Sequence, residues 1–465
     1  MYHLKTHYKR LLADTITPVS VYLKIRDRFP NSLLLESSDY HSNENSFSYI
    51  CFNPIASITV AGEIITEDFP DGSTSKTKIT EKDQPQKAIE AFAGMFKSDS
   101  PSFHFINEGL FGYIAYDSVR YFENIEISKS PEGIDIPDIH YSVYRNIIAI
   151  NHFNNEAYIF DHSYEQESNL SQIEQLLQVK SFASFHFMRK GSPTSNESDE
   201  SFKDKVRKVR EHCQRGDVFQ LVLSRRFSQD FSGDEFNVYR ALRSVNPSPY
   251  LFYFDYGDFK IFGSSPEAQL VVKDNRAEIH PIAGTFKRTG NDEEDARSAR
   301  ALAEDEKENA EHVMLVDLAR NDLSRSGTDV TIEKYKEIQY FSHVIHLVSK
   351  VSALKKPQVS TMQLVADTFP AGTLSGAPKP KALELINGFE NTHRSIYGGA
   401  IGFMDFEGNY SHAITIRTFL SKDHRLHYQA GAGIVSASQE ENELQEVYNK
   451  LRALETALQM AENIS

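Results

Sequence analysis

Along the first third of the chain, apolar residues recur in short runs rather than in long helical stripes. Ser32-Leu-Leu-Leu-Glu36, Ser57-Ile-Thr-Val60 and Asn146-Ile-Ile-Ala-Ile150 have β composition, and Pro, Gly, Asn and Asp punctuate the stretch from Leu33 to about Tyr158. This half reads as sheet. Gly191-Ser-Pro-Thr-Ser-Asn-Glu-Ser-Asp-Glu200 has linker composition, and after Ser201 the residues Phe202, Val206, Val209 and Cys213 take helical spacing. The pattern therefore divides the chain into an N-terminal region, 1–190, and a second region, 191–465. In the second, strand-like Tyr250–Phe254 and Lys260–Phe262 precede one helical stretch from about Asp292 to Leu323, acid-rich at its start with Arg320 and Arg325 late. Gly398–Met404, the turn Glu407-Gly-Asn409, Ala413–Leu420 and Leu426–Val435 predict an antiparallel meander, closed by a helix from about Glu440 to Ala461. The class is mixed α and β.

Composition narrows the function more than the fold. Of 465 residues, 40% are hydrophobic and 11% aromatic, the balance of a soluble globular protein. A formal net charge of -15 disfavours sequence-independent nucleic-acid binding, which needs clustered excess Lys and Arg. Two cysteines, Cys51 and Cys213, in no C-x-x-C spacing, exclude a disulfide framework or zinc ribbon and fit a reducing cytoplasm. No signal-peptide h-region opens the chain, and no run of about 18 apolar residues occurs, so no membrane role is expected. Tryptophan is absent. Small-molecule chemistry remains.

The candidate chemistry is carboxylate-rich. Glu308 with Glu311 and Glu443 with Glu446 are two E-x-x-E pairs inside predicted helices, where residues three apart share a face. Four converging carboxylates call for a cation, and an all-oxygen set suits Mg2+; a solvated acidic face is the plainer alternative. Alternation in Ala413–Leu420 puts Arg417 on one sheet face with Thr415 and Phe419, where a guanidinium needs an anion, from a ligand or from protein. Ala430-Gly-Ala-Gly433 after a strand lets backbone amides approach an anion, or is simply a bulge. His346 lies in a strand-like run and can act as a base or merely pack. Glu267, after Gly263-Ser-Ser-Pro, is placed as a proton donor or as a cap.

Taken in order, Phe219–Arg226, Gly263–Glu267, Pro281–Thr285, Glu311–Asp322, His346–Ser349, Gly372–Lys379, Tyr397-Gly-Gly399, Ile416-Arg417 and Gln429–Gly433 resemble the chorismate-utilising enzymes. The resemblance covers essentially all of 200–460. It implies an α+β fold of two facing, mainly antiparallel β-sheets flanked by helices. It implies Mg2+ held by Glu311 and Glu446, with Glu308 and Glu443 acting through water, and chorismate held by Gly284, Thr285, Thr373, Tyr397, Arg417, the amides of Gly431, Ala432 and Gly433, and Lys450. Family members that activate water carry Lys where Gln220 stands; many aminodeoxychorismate synthases carry Lys in the block where this chain has Ala283. Both lysines are absent, so the resemblance points to the large components of anthranilate synthases, with aminodeoxychorismate or aminodeoxyisochorismate synthesis as alternatives. It implies Glu267 as the acid for the departing 4-hydroxyl and His346 as the base at carbon 2.

The same resemblance sets expectations for supply and control. Neither cysteine has a glutaminase context, so ammonia is expected from a separate glutamine amidotransferase small subunit, in a heterotetramer. Leu34-Leu-Glu-Ser37 and Asn246-Pro-Ser-Pro-Tyr-Leu-Phe252 resemble the family's tryptophan inhibitor site, implying Ser37, Pro249, Tyr250 and Leu251 as its contacts.

Overall fold

A computed structural model describes residues 1–37, 46–127, 133–179, 181–340 and 344–464; the side chains of Thr285, Lys287 and Lys307 lie outside that description. The β-structure forms one nearly unbroken antiparallel ladder. In spatial order it runs through Phe187–Ser195, Gln220–Gly233, Arg425–Ile434, Thr418–Lys422, Phe259–Ser265 and Tyr250–Asp255. It continues through Leu33–Glu36, Phe47–Ala61, Ile139–Asn151, Leu110–Ile114, Ala400–Met404 and Tyr410–Ile414. Ala268–Lys273, Arg276–Ile279 and Val344–Lys355 follow, the last carrying Gly327–Tyr340 and Ile282–Lys287. Strands from both sides of position 190 are neighbours throughout: Leu34 pairs with Tyr253, and Gly112 with Gly402.

The ladder folds back so that its two halves face each other. Tyr113 and Phe259, whose strands have four others between them in pairing order, place their rings 6.1 Å apart, edge to face. Alternation along each strand explains the continuous apolar runs in the sequence. Ile147 and Ala149 enter a core between the sheets with Phe252, Phe254 and Ile261, whereas Ile148 and Ile150 enter a second core under helices, with Tyr253 and Phe262. Both faces are buried, so both are apolar. Helices Asp199–Arg215, Phe236–Val245 and Glu440–Ala461 cover one outer face, and Gln84–Ala93, Glu306–Ser326 and Thr361–Thr368 cover the other. The expected α+β class with facing sheets holds.

Four local expectations are corrected. The segment 191–195 is the end of strand Phe187–Ser195, not a linker; it pairs on one side only, with Gln220–Gly233, and its outward residues are exposed, so its composition is polar. The helical stretch from Asp292 divides into Asp292–Glu304 and Glu306–Ser326, because the Asp305 side chain caps the second helix by accepting from the Glu308 amide at 2.9 Å. Ala413–Leu420 is not one strand: Tyr410–Ile414 ends before Thr418–Lys422 begins, and Arg417 in the break has φ of 50°. Arg417 therefore owes its direction to a left-handed backbone rather than to alternation with Thr415 and Phe419. Ala430-Gly-Ala-Gly433 lies within strand Arg425–Ile434, paired with Val222–Arg225, and is not a turn after it. The final helix, Glu440–Ala461, has the limits read from the sequence.

Candidate active site

The strand segment Gly431–Gly433 organises the site, and its small residues are required by crowding. A Cβ on Gly431 would lie 2.7 Å from the Leu223 carbonyl oxygen and 2.9 Å from the Tyr397 hydroxyl; one on Gly433 would lie 2.3 Å from Gln220 Nε2. Gln220 Nε2 in turn reaches Glu311 Oε1 at 3.4 Å, so Glu311 borders this strand from one helix end. From the other, Lys450 donates to the Gly431 carbonyl at 2.8 Å and pairs with Glu446 at 2.6 Å. Tyr397 is buried beneath, its phenol pushed up by burial, with Glu446 among the charges acting on it. The two E-x-x-E pairs thus stand at the N-terminal ends of two helices, which flank a common strand.

Helix periodicity sets which acids point inward. In Glu440–Ala461 the buried stripe Glu443, Val447, Leu451, Leu454 and Leu458 carries Glu443 into the interior, at 6% exposure. Glu308 Oε2 would lie 3.3 Å from a Cβ on Gly284, which has φ of 67°. Carboxylates at helix N-termini are favoured by the macrodipole whatever their role. As they stand they form two pairs: among the described residues no three His, Cys, Asp or Glu side chains group closely enough to ligate an ion, and Lys450 neutralises Glu446. Their chemistry nevertheless fits a hard divalent cation, being all oxygen, anionic and partly buried.

Glu267 and Arg417 form the second half of the site. Glu267 follows strand Phe259–Ser265, with its carbonyl accepting from the Ile414 amide at 2.9 Å and its Oε1 accepting from the Thr373 hydroxyl at 3.2 Å. Burial pushes its carboxyl up to about 8, against the opposing pull of the Thr373 hydrogen bond and the charges of Lys450 and Arg417. A carboxyl so shifted keeps its proton at neutral pH. Burial also lowers the Arg417 guanidinium, with the nearby Glu267 charge pulling the other way. Among the described residues no carboxylate lies within ion-pair distance of Arg417, whose Nη1 donates to Asn246 Oδ1 at 3.5 Å. A partly desolvated guanidinium with no ion pair among the described residues has the chemistry to receive an anion.

Gly263 holds this geometry. A Cβ there would lie 2.5 Å from Thr418 Oγ1 and 2.9 Å from the Arg417 carbonyl oxygen. Gly263→Ala should therefore cost about 1–3 kcal/mol of stability through overpacking; an unchanged melting temperature would show that the strand yields freely.

His346 completes the arrangement. A bulge between Ala283 and Phe286 in strand Ile282–Lys287 brings the Gly284 carbonyl to His346 Nδ1 at 2.6 Å. The carbonyl fixes the Nδ1–H tautomer, leaving Nε2 as the basic nitrogen, while burial lowers the imidazole so that it is neutral near pH 7. Arg417 is among the charges acting on it, which ties His346 to the Glu267–Arg417 group. Ala283 pairs with Leu347 and brings no amine.

Of the residues singled out in the sequence, Glu267, Thr373, Tyr397, Arg417, Gly431, Gly433, Lys450 and Glu446 are linked by direct contact or charge, with Glu311 joined through Gln220 and with Gly284, Glu308 and His346 beside them. Ala432 pairs with Leu223 between the two glycines. The Thr285 side chain lies outside the described residues. Arg394 was missed: nearly fully buried, it bridges Glu390 and the carbonyls of Leu374 and Val222, and lies 5.7 Å over the Tyr397 ring. Its only sequence signal was a Glu four residues earlier.

Strand pairing brings together the residues expected to contact an inhibitor. Leu251 lies opposite Glu36, which brings Pro249, Tyr250 and Leu251 beside Ser37 although more than two hundred positions separate them in sequence. Tyr250 pairs onward with Ser265, two residues before Glu267.

A family model described as chorismate binding enzyme matches residues 32–456. The chain is 37% identical to anthranilate synthase component 1 of Aquifex aeolicus, over 99% of this chain and 96% of that protein. It is 36% identical to the protein of the same name from Lactococcus lactis, over 96% of this chain and 98% of that protein. The crystal structure of anthranilate synthase component I from Streptococcus pneumoniae superposes with a TM-score of 0.77 at 31% identity, covering 96% of this chain and 99% of that one. The menaquinone-specific isochorismate synthase of Escherichia coli shares the fold alone, with a TM-score of 0.72 at 16% identity, over 98% of this chain and 95% of that one. With the ordered blocks and the assembled site, these matches establish that the chain belongs to the chorismate binding enzyme family.

Proposed function

We propose that this chain is the large component of an anthranilate synthase, converting chorismate and ammonia to anthranilate and pyruvate in tryptophan biosynthesis. The observation that carries the reading is the Glu267–Arg417 pair: a carboxyl protonated at neutral pH, close to a desolvated guanidinium that has no carboxylate partner among the described residues. This suits a dianionic ring that must shed a hydroxyl. Relatives named anthranilate synthase component 1 support the choice within the family. So do Gln220 and Ala283, which leave no lysine to activate water or to attack the ring.

In this reading Arg417 takes one substrate carboxylate, while Tyr397, Thr373, Lys450, Gly284, Thr285 and the Gly431–Gly433 segment surround the ring. Ammonia adds at carbon 2 as Glu267 protonates the departing 4-hydroxyl. His346 Nε2 then takes the carbon 2 proton as pyruvate leaves and the ring becomes aromatic. Glu311 and Glu446, backed by Glu308 and Glu443, would hold Mg2+, whose charge would neutralise the other substrate carboxylate. The test is fluorescence of the purified chain with chorismate, ammonium and Mg2+. Growth of an anthranilate signal that chelation abolishes is expected; a non-aromatic product would refute the reading.

Burial raises both thiols, that of Cys213 to about 11, whereas a glutaminase nucleophile needs a lowered pKa. This supports ammonia delivery by a separate glutamine amidotransferase subunit, in a heterotetramer, in the cytoplasm. No helix among the described residues is long and apolar enough to cross a membrane. Tryptophan would bind at Ser37, Pro249, Tyr250 and Leu251 and shift the chain between two conformations. Ser37→Phe should then abolish inhibition by tryptophan while retaining turnover; inhibition at the parent concentration would place the inhibitor elsewhere.

A further inference from the structure

Beside Glu267 lies a small cavity, several of whose walls play no part in the course above. Its walls include Glu267, Gln269, Leu318, Asp322, Thr368 and Thr373. Gln269 arrives there through a bulge: Ala268 pairs with Ala413 and Leu270 with His412, so Gln269 is the extra residue of its strand. Bulges next to sites re-aim side chains. Gln269 is 2% exposed, and its Nε2 donates to the Thr368 hydroxyl at 3.2 Å. That hydroxyl commits its single proton to the carbonyl of Leu364 or Val365, so toward the amide it can only accept, which fixes the amide's orientation. Gln269 Oε1 is therefore a buried acceptor, and it receives no hydrogen bond among the described residues. Further along the wall Asp322 accepts from Lys379 at 2.7 Å, and Lys379 also reaches the Thr368 carbonyl at 3.3 Å. Most of the wall is apolar, from residues such as Ile279, Leu315 and Leu318, and its polar groups are Glu267, Gln269, Thr368, Thr373 and Asp322.

A buried acceptor left unbonded is costly, and a cavity of about 30 Å³ with polar groups on part of its wall has room for water that would satisfy it. We propose that roughly one or two ordered waters, anchored by Gln269, occupy this cavity and return a proton to Glu267 between turnovers. The inference rests on the acid role given to Glu267 above. Each turnover moves one proton from Glu267 to the departing hydroxyl, which leaves as water, and sheds one from the nitrogen as the C–N bond forms. The two balance, and the waters carry the proton equivalent back to the Glu267 carboxylate. Gln269 is a positioning residue in this scheme, not a catalytic one.

Gln269→Leu keeps the bulk and removes the acceptor. With enzyme in excess over chorismate, the first turnover should run at the parent rate, while steady-state kcat falls about tenfold. Equal loss in both regimes, or no loss in either, would overturn the relay. Should that variant not fold, a high-resolution crystal structure of the unsubstituted chain decides: water bonded to Gln269 Oε1 supports the proposal, and a dry cavity refutes it. Hydration is read without turnover, so its result is separate from the fate of Glu267 as the acid.

Discussion

Glu267→Gln should lower kcat for anthranilate formation by about 10²–10⁴-fold while leaving chorismate binding largely intact, because the amide keeps the shape and the Thr373 contact but has no proton to give. The measurement is initial-rate fluorescence alongside chorismate-dependent thermal stabilisation. The carboxyl's shift, from an ordinary 4.5 to about 8, also fixes the pH behaviour. Activity should fall as pH rises through about 8, where the acid is lost, and fall on the acid side below 6.5, where His346 gains a proton. Between 4.5 and 8 the folded protein holds a proton that the unfolded chain has released, so stability declines as pH rises through that window. Glu267→Gln should remove this decline. A variant with parent activity, or with the parent's dependence of melting temperature on pH, would strip Glu267 of its role.

Arg417→Met should reduce kcat/KM by about 10²–10³-fold, the loss of two charge-assisted hydrogen bonds to a carboxylate. The same substitution should leave the melting temperature of the ligand-free protein unchanged or higher, since it removes a partly buried charge that has no ion-pair partner among the described residues. Arg417→Lys should fail nearly as badly in catalysis, because an ammonium cannot reproduce the planar fork. A drop in melting temperature with little change in kcat/KM would instead make Arg417 a structural residue.

How much of this was legible in the sequence depended on whether a residue's role was local. The helix Glu440–Ala461 was readable to its limits because its apolar stripe and its acidic first turn agree. The acidic pairs and Glu267 were readable as candidates, since spacing alone puts two carboxylates on one helix face. Arg417 was found for partly the wrong reason: strand alternation cannot foresee a left-handed residue in a strand break. Gly431 and Gly433 read as lying after a strand rather than within one, because their smallness is set by neighbours distant in sequence, Leu223, Tyr397 and Gln220. The one-sided strand Phe187–Ser195 hid for the opposite reason, since its exposed face has no apolar period to show. Gln269 and Arg394 carried almost no local signal; what marks them is burial, a tertiary property.

Anthranilate synthesis by this chain is tested most directly by the mass of the product formed from chorismate, Mg2+ and heavy-nitrogen ammonium. It requires anthranilate carrying the heavy nitrogen, with pyruvate in equal amount. An unlabelled hydroxylated product, or an aminated ring that retains its enolpyruvyl group, would contradict it.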